Sequence, residues 1–189
     1  MFKLTHSQQS FTLIELLVVV AIISILASIA LPNYQHAQVK AKISAAYAEM
    51  KTLSTVIETY ALDHNCYPLD GNDYFERAEE LFDQTRIQKV LTTPLAYISE
   101  LPSDIFHTKE NHRNDPRYAR HFQSRPPYPY VYFTRDNFLI HRGVPKAYFI
   151  FSIGPNQYFD NESAAPEDVL KYDPSNGVIS KGDLVRKGP

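Results

Sequence analysis

The sequence has no tryptophan, one cysteine and only six glycines in 189 residues. A single thiol, Cys66, excludes an intrachain disulfide framework and any zinc site built mainly from cysteines. Neither sign of charge dominates, since 19 Lys and Arg stand against 21 Asp and Glu for a net charge of -2. That balance argues against a chain whose work is neutralising phosphates, so nucleic acid is not expected as a partner. The sequence also lacks G-x-S-x-G, a phosphate-binding glycine loop and G-x-G-x-x-G, and no enzyme is expected. What it does have is 13 Tyr, 11 Phe and 13 Pro, the composition of an ordered, turn-rich aromatic domain.

The most informative absence is local. Between Leu16 and Val39 there is no Asp, Glu, Lys or Arg, and Leu16 to Leu31 reads LLVVVAIISILASIAL. At about 1.5 Å per residue, a helix from Phe11 to Leu31 spans about 30 Å, the hydrocarbon thickness of a bilayer. Pro32 follows, where a missing N–H favours a kink. The helical pattern nonetheless continues. Ala37, Ile43, Ala46, Met50, Leu53, Ile57 and Tyr60 recur mostly at spacings of three and four, with Lys40, Lys42, Glu49, Lys51 and Glu58 off that stripe. An amphipathic helix to about Leu62 is expected, stopped by Asp63-His64-Asn65.

Beyond Tyr67-Pro68 the periodicity predicts a short helix from Asp73 to Phe82 and a further turn over Ile87 to Leu91. Segment Ser103 to Arg125, rich in charge and histidine, reads as an exposed excursion. Tyr128 to Thr134, Phe138 to Arg142 and Ala147 to Ile153 read as three antiparallel strands joined by short turns. Near the end, Val178-Ile179 and Leu184-Val185 between turn signals suggest a small hairpin. His107, His112 and His121 with Asp104 and Asp115 lack the spacing of a metal motif and read as a solvated loop. Tyr128, Tyr130 and Tyr132 read as a half-buried strand, and Cys66 as a small side chain packed at the helix exit.

Glu15 is the one ionisable residue within the apolar segment. A carboxylate inside a membrane helix costs a few kcal/mol and marks a function or a partner, unless it snorkels to the interface. A competing reading takes Lys3 and Ser28-Ile29-Ala30 as parts of a secretory signal peptide, but the uncharged run is longer than such segments usually are.

Ser10-Phe11-Thr12-Leu13-Ile14-Glu15-Leu16-Leu17 closely resembles the cleavage and methylation motif of type IV pilins and type II secretion pseudopilins. The resemblance implies that a prepilin peptidase cuts between Ser10 and Phe11 and methylates Phe11. Glu15 then pairs with the new α-ammonium of a neighbouring copy and sets the register of a helical filament. The family usually has Gly immediately before the cut, where this chain has Ser10. Thr59 to Pro68 and Tyr97 to Asp104 further resemble segments of the major pseudopilin of type II secretion. The match weakens after Asp104, where Ile105-Phe106 replace Pro-Trp.

The expected fold is therefore α+β and pilin-like, a long N-terminal helix packed on a small antiparallel sheet. Its parts are a leader (1–10), a transmembrane helix (11–31), an amphipathic extension (32–66) and a C-terminal domain (67–189). The implied location is the inner membrane, with the C-terminal domain periplasmic. The implied partners are other copies in a filament, prepilin peptidase, other pseudopilins and the secretion assembly platform. In the major pseudopilin a loop after the last core strand binds calcium. Here Ser152, Asn156 and Asp160, with Asn161 and Glu162, offer oxygen ligands at a comparable place, although an ordinary solvated turn is the preferred reading. A type IV pilin, a minor tip pseudopilin and a single-pass binding domain that never polymerises remain alternatives.

Overall fold

A computed structural model describes residues 11–68, 85–108, 110, 128–134, 148–160 and 170–189. The chain divides into two compact units, Met1–Gln38 and Val39–Pro189. One helix, α1 (Leu13–His64), supplies all the regular structure described in the first unit and continues into the second, with Pro32 inside it. From Phe11 to Gln38 every described residue is exposed. α1 is long and apolar enough to cross a membrane. The two hydroxyls of its apolar run are already satisfied, Ser24 Oγ donating to the Val20 carbonyl at 2.8 Å and Ser28 Oγ to that of Ile25 at 2.7 Å. An apolar surrounding would therefore meet no unbonded hydroxyl donor there.

In the second unit α1 becomes one-sided. Ala46, Met50, Leu53, Ser54 and Ile57 are buried, and Ile43, Val56 and Tyr60 pack beside them, so the stripe expected from spacing is the core-facing side from Ile43 onward. Ala37 is exposed. The helix ends at His64, and Asn65 takes a left-handed φ of 54°, the C-terminal stop that Asn tolerates better than most residues. The expected turn over Ile87 to Leu91 is a short helix, α2 (Thr85–Thr92), which buries Ile87 and Leu91 in the same core. The helix expected over Asp73 to Phe82 lies outside the described residues.

Three antiparallel strands form one sheet in the order β1 (Val131–Thr134), β2 (Tyr148–Ser152), β3 (Leu184–Lys187). Val131 pairs with Phe151 and Thr134 with Tyr148, while Phe149 pairs with Lys187 and Ser152 with Leu184. Two sequence expectations are corrected here. β1 pairs directly with β2 instead of meeting an intervening strand; Phe138 to Arg142 lies outside the described residues. Leu184-Val185 is not one arm of a terminal hairpin but part of the third strand of the main sheet. Val178-Ile179, its expected partner, forms a turn with Ile179 67% exposed.

The physical reason is the composition of β2, whose five residues are all buried. A central strand of that kind needs a neighbour on each edge and cover on both faces. Tyr132, Ile150 and Arg186 lie side by side on one face, along with Tyr148, whose hydroxyl reaches α1. On the other face the Phe149 and Phe151 rings lie 6.0 Å apart, and Phe159 meets Phe151 edge-on at 6.0 Å. Before β3, Lys171 bridges Asp183 in parallel. Gly182 permits that approach, since a Cβ there would lie 2.6 Å from the Lys171 carbonyl.

Candidate assembly site at the start of the long helix

Phe11 and Thr12 precede α1, and Phe11 is 71% exposed. Thr12 Oγ1 accepts from the Glu15 N–H at 3.3 Å, and the Glu15 carboxylate reaches back to the Thr12 N–H at 2.9 Å. The Thr12 hydroxyl donates to the same carboxylate oxygen, Oε2, at 2.6 Å. This is a reciprocal capping box, T-x-x-E, which satisfies orphan donors of the first turn and places a negative charge at the positive end of the helix dipole. The signal was present in Thr12-Leu13-Ile14-Glu15, but reading Glu15 only as a partner for another copy passes over its bond to Thr12. Oε2 is occupied by Thr12, and Oε1 takes no bond among the described residues. A carboxylate has room for such an additional donor. Ser10, the other residue of the expected cleavage site, lies outside the described residues.

The second polar site is buried. The segment from Ser103 is not an exposed excursion at its start, because Asp104, Phe106 and His107 are buried and Ser103 bridges Pro129. Asp104 Oδ1 accepts from the Phe106 N–H at 3.0 Å and from Ser152 Oγ at 2.8 Å, and Oδ2 accepts from the Ile153 N–H at 3.0 Å. A hydrophilic-looking stretch thus sends one carboxylate inward to tie the end of β2. Burial pushes the Asp104 carboxyl up to about 6, against the three hydrogen bonds that favour its charge. Residue 109 and residues 111–127 lie outside the described residues, His112, Asp115 and His121 among them.

Of the residues expected to bind calcium, Asn156 and Asp160 meet. Asn156 Nδ2 donates to Asp160 Oδ2 at 2.7 Å, and that oxygen also accepts from the Gly182 N–H at 2.6 Å. Ser152 turns instead to Asp104. Calcium takes 6–8 oxygens. Among the described residues no three His, Cys, Asp or Glu gather to hold a metal. Asn161 and Glu162 lie outside the described residues.

Glu49, Glu58 and Asp63 of α1 are not simply a solvated face. Tyr130 Oη donates to Glu49 Oε2 at 2.7 Å, Tyr148 Oη to Glu58 Oε1 at 2.8 Å, Tyr67 Oη to Glu58 Oε2 at 3.0 Å and Tyr97 Oη to Asp63 Oδ2 at 2.8 Å. Burial first, and then the neighbouring carboxylate, holds the Tyr130 and Tyr148 hydroxyls protonated above their ordinary range.

Residues 5–31 match the prokaryotic N-terminal methylation motif. The chain carries the prepilin-type N-terminus. It is similar to a fimbrial protein of Moraxella nonliquefaciens, 46% identical over 68 residues that cover 36% of this chain and 44% of that one. It is similar also to the type IV major pilin protein PilE of Neisseria gonorrhoeae, 41% identical over 34% of this chain and 38% of that one. These matches take in less than half the length of those relatives. A longer match is to type II secretion system core protein G of Escherichia coli strain K12, 29% identical over 90% of this chain and 94% of that one. No solved structure matches. With a long apolar helix and a small antiparallel sheet, the α+β fold is pilin-like.

Proposed function

We propose that this chain is a structural, non-enzymatic subunit of a membrane-anchored filament, of the major-pseudopilin kind that serves type II secretion. A prepilin peptidase removes residues 1–10 and methylates Phe11. Phe11 to Leu31 first holds the subunit in the inner membrane and then lines the filament core, with the C-terminal domain on the periplasmic side. Extension of the filament pushes folded exoproteins outward.

The observation that carries this reading is the geometry at Glu15. Cleavage before Phe11 creates an α-ammonium, and in an apolar setting both that cation and the Glu15 carboxylate need a partner. Thr12 holds Oε2 and fixes the side chain, while Oε1 takes no bond among the described residues and can accept from a donor outside the chain. A second copy displaced along the helix axis supplies that donor from its own Phe11. The secretion role is favoured over a surface pilus because the likeness to the secretion protein runs along most of the chain, whereas the pilin likenesses cover about a third.

The test is charge reversal, Glu15→Lys, in cells expressing the full chain. Pelletable filaments should fall at least tenfold while resistance to carbonate extraction from membranes is unchanged. Filaments undiminished by the substitution would overturn the register mechanism.

A further inference from the structure

We propose that the outer edge of β3 accepts a short extended peptide carrying adjacent carboxylates, which adds to the sheet as a further strand. Every residue involved lies in the second unit, so the filament reading and this one stand or fall separately. Among the described residues β3 pairs with β2 along one edge only. The Gly188 N–H donates to the Tyr148 carbonyl at 2.9 Å, so by alternation Gly188, Arg186 and Leu184 turn their backbone groups toward β2. Asp183, Val185 and Lys187 turn theirs outward. Asp183 is already served, its N–H donating to the Leu170 carbonyl at 3.0 Å and its carbonyl accepting from the Tyr172 N–H at 2.9 Å. The bridge of Lys171 to Asp183 is thus the start of a fourth strand, which stops where the chain turns through Pro174–Asn176. Beyond it, the backbone groups of Val185 and Lys187 take no hydrogen bond among the described residues. Such a row of free donors and acceptors is a template for another strand.

The charge of this edge selects the occupant. From Leu170 to Pro189 the chain carries Lys171, Lys181, Arg186 and Lys187 against two acids, Asp173 and Asp183. Both acids are engaged, Asp173 by the Ser175 N–H at 2.8 Å and the fully buried Asp183 by the Asp160 N–H at 3.3 Å. None of the four cations has an ionic partner among the described residues, and Arg186 Nε is buried with no hydrogen bond. Arg186 lies on the face of β3 that it shares with Tyr132 and Ile150, whereas Lys187 lies on the other, 6.0 Å from the centre of the Phe149 ring.

Side chains of an added strand alternate in the same way. A residue opposite Val185 followed by two carboxylates therefore sets one acid beside each cation and supplies the guanidinium with an acceptor. A second copy joined through the same edge would bring Arg186 and Lys187 against their own kind, a pairing that like charges oppose.

The test uses the full chain in micelles of an uncharged detergent and the fluorescein-labelled peptide Glu-Glu-Val-Glu-Glu, whose order is the same in both strand directions. Fluorescence anisotropy should show saturable binding. The double variant Arg186→Gln, Lys187→Gln should weaken it about tenfold, whereas Lys40→Gln, Lys42→Gln, which removes the same charge from α1, should leave it within about twofold. The peptide N-methylated on its valine should also bind about tenfold more weakly, because it lacks a donor to the edge. Absence of saturable binding overturns the proposal, as does equal weakening by the two charge variants. Undiminished binding of the N-methylated peptide reduces the effect to charge attraction and overturns strand addition. Self-association of the chain that excludes the peptide overturns the acidic occupant and assigns the edge to a second copy.

Discussion

Ile22 and Ile150 are the same side chain in opposite circumstances. Ile22 stands on the N-terminal part of α1 and is 52% exposed, while Ile150 in β2 is completely buried. The contrast holds for whole regions. Large apolar residues from Leu13 to Leu31 are 45% to 80% exposed, yet α1 from Ala46 to Ile57 and the sheet build one core. The second region supplies its own apolar cover, whereas the first presents a hydrophobic surface that no described residue covers. Such a surface calls for lipid or other copies of the chain, and the energetics of that half of the protein lie in its surroundings.

Equal truncations in the two regions give the sharpest break in that comparison. Ile150→Ala should destabilise the C-terminal domain by about 2–5 kcal/mol through the cavity it leaves. Ile22→Ala should leave the same transition unmoved, as read by tyrosine fluorescence during denaturation in detergent. A shift from Ile22→Ala comparable to that from Ile150→Ala would show that the two regions share one stability.

Asp104→Asn should cost about 1–3 kcal/mol, because an amide cannot accept at both positions and leaves the Ile153 N–H or the Phe106 and Ser152 donors poorly matched. Its pH dependence has a definite sign. The folded carboxyl sits at about 6, above the ordinary unfolded value near 3.9. This group's contribution is therefore full below the unfolded value and is lost as pH rises through about 6. The margin of the wild type over Asp104→Asn should be largest near pH 4 and should narrow as pH rises toward 7. A margin that widens over that range would contradict the burial of Asp104.

Smaller effects are expected from single polar bonds. Tyr148→Phe removes the hydroxyl that accepts from Ser54 Oγ at 2.7 Å and donates to Glu58, and should cost about 1–2 kcal/mol in thermal unfolding. Thr12→Ala breaks the capping box and should cost about 1 kcal/mol of the first helical turn. Hydrogen exchange at the first-turn amides should then quicken about fivefold, with melting of the C-terminal domain unchanged.

The sequence disclosed the first region almost completely, since an apolar run, one acid and the spacing at its start all lie within about twenty consecutive residues. The core stripe of α1 was equally legible, because Ala46, Met50, Leu53 and Ile57 repeat at the helical period. Strand pairing was not. Nothing local to Leu184-Val185 distinguishes a hairpin arm from the outer strand of a sheet whose central strand lies some thirty residues earlier. Asp104 was hidden for a similar reason, since its hydrogen-bond donors include Ser152 and Ile153, which are distant in sequence. The carboxylates of α1 looked solvated because the tyrosines that bind Glu49 and Glu58 come mainly from remote segments. The Thr12–Glu15 box, by contrast, was local and legible.

The claim that joins these observations is that Phe11 becomes the first residue of an assembling subunit. Intact mass and N-terminal sequencing of the membrane-extracted protein test it most directly. A chain that starts at N-methylated Phe11 is the predicted result. A chain that retains Met1, or one cut to begin at Leu31, would contradict it.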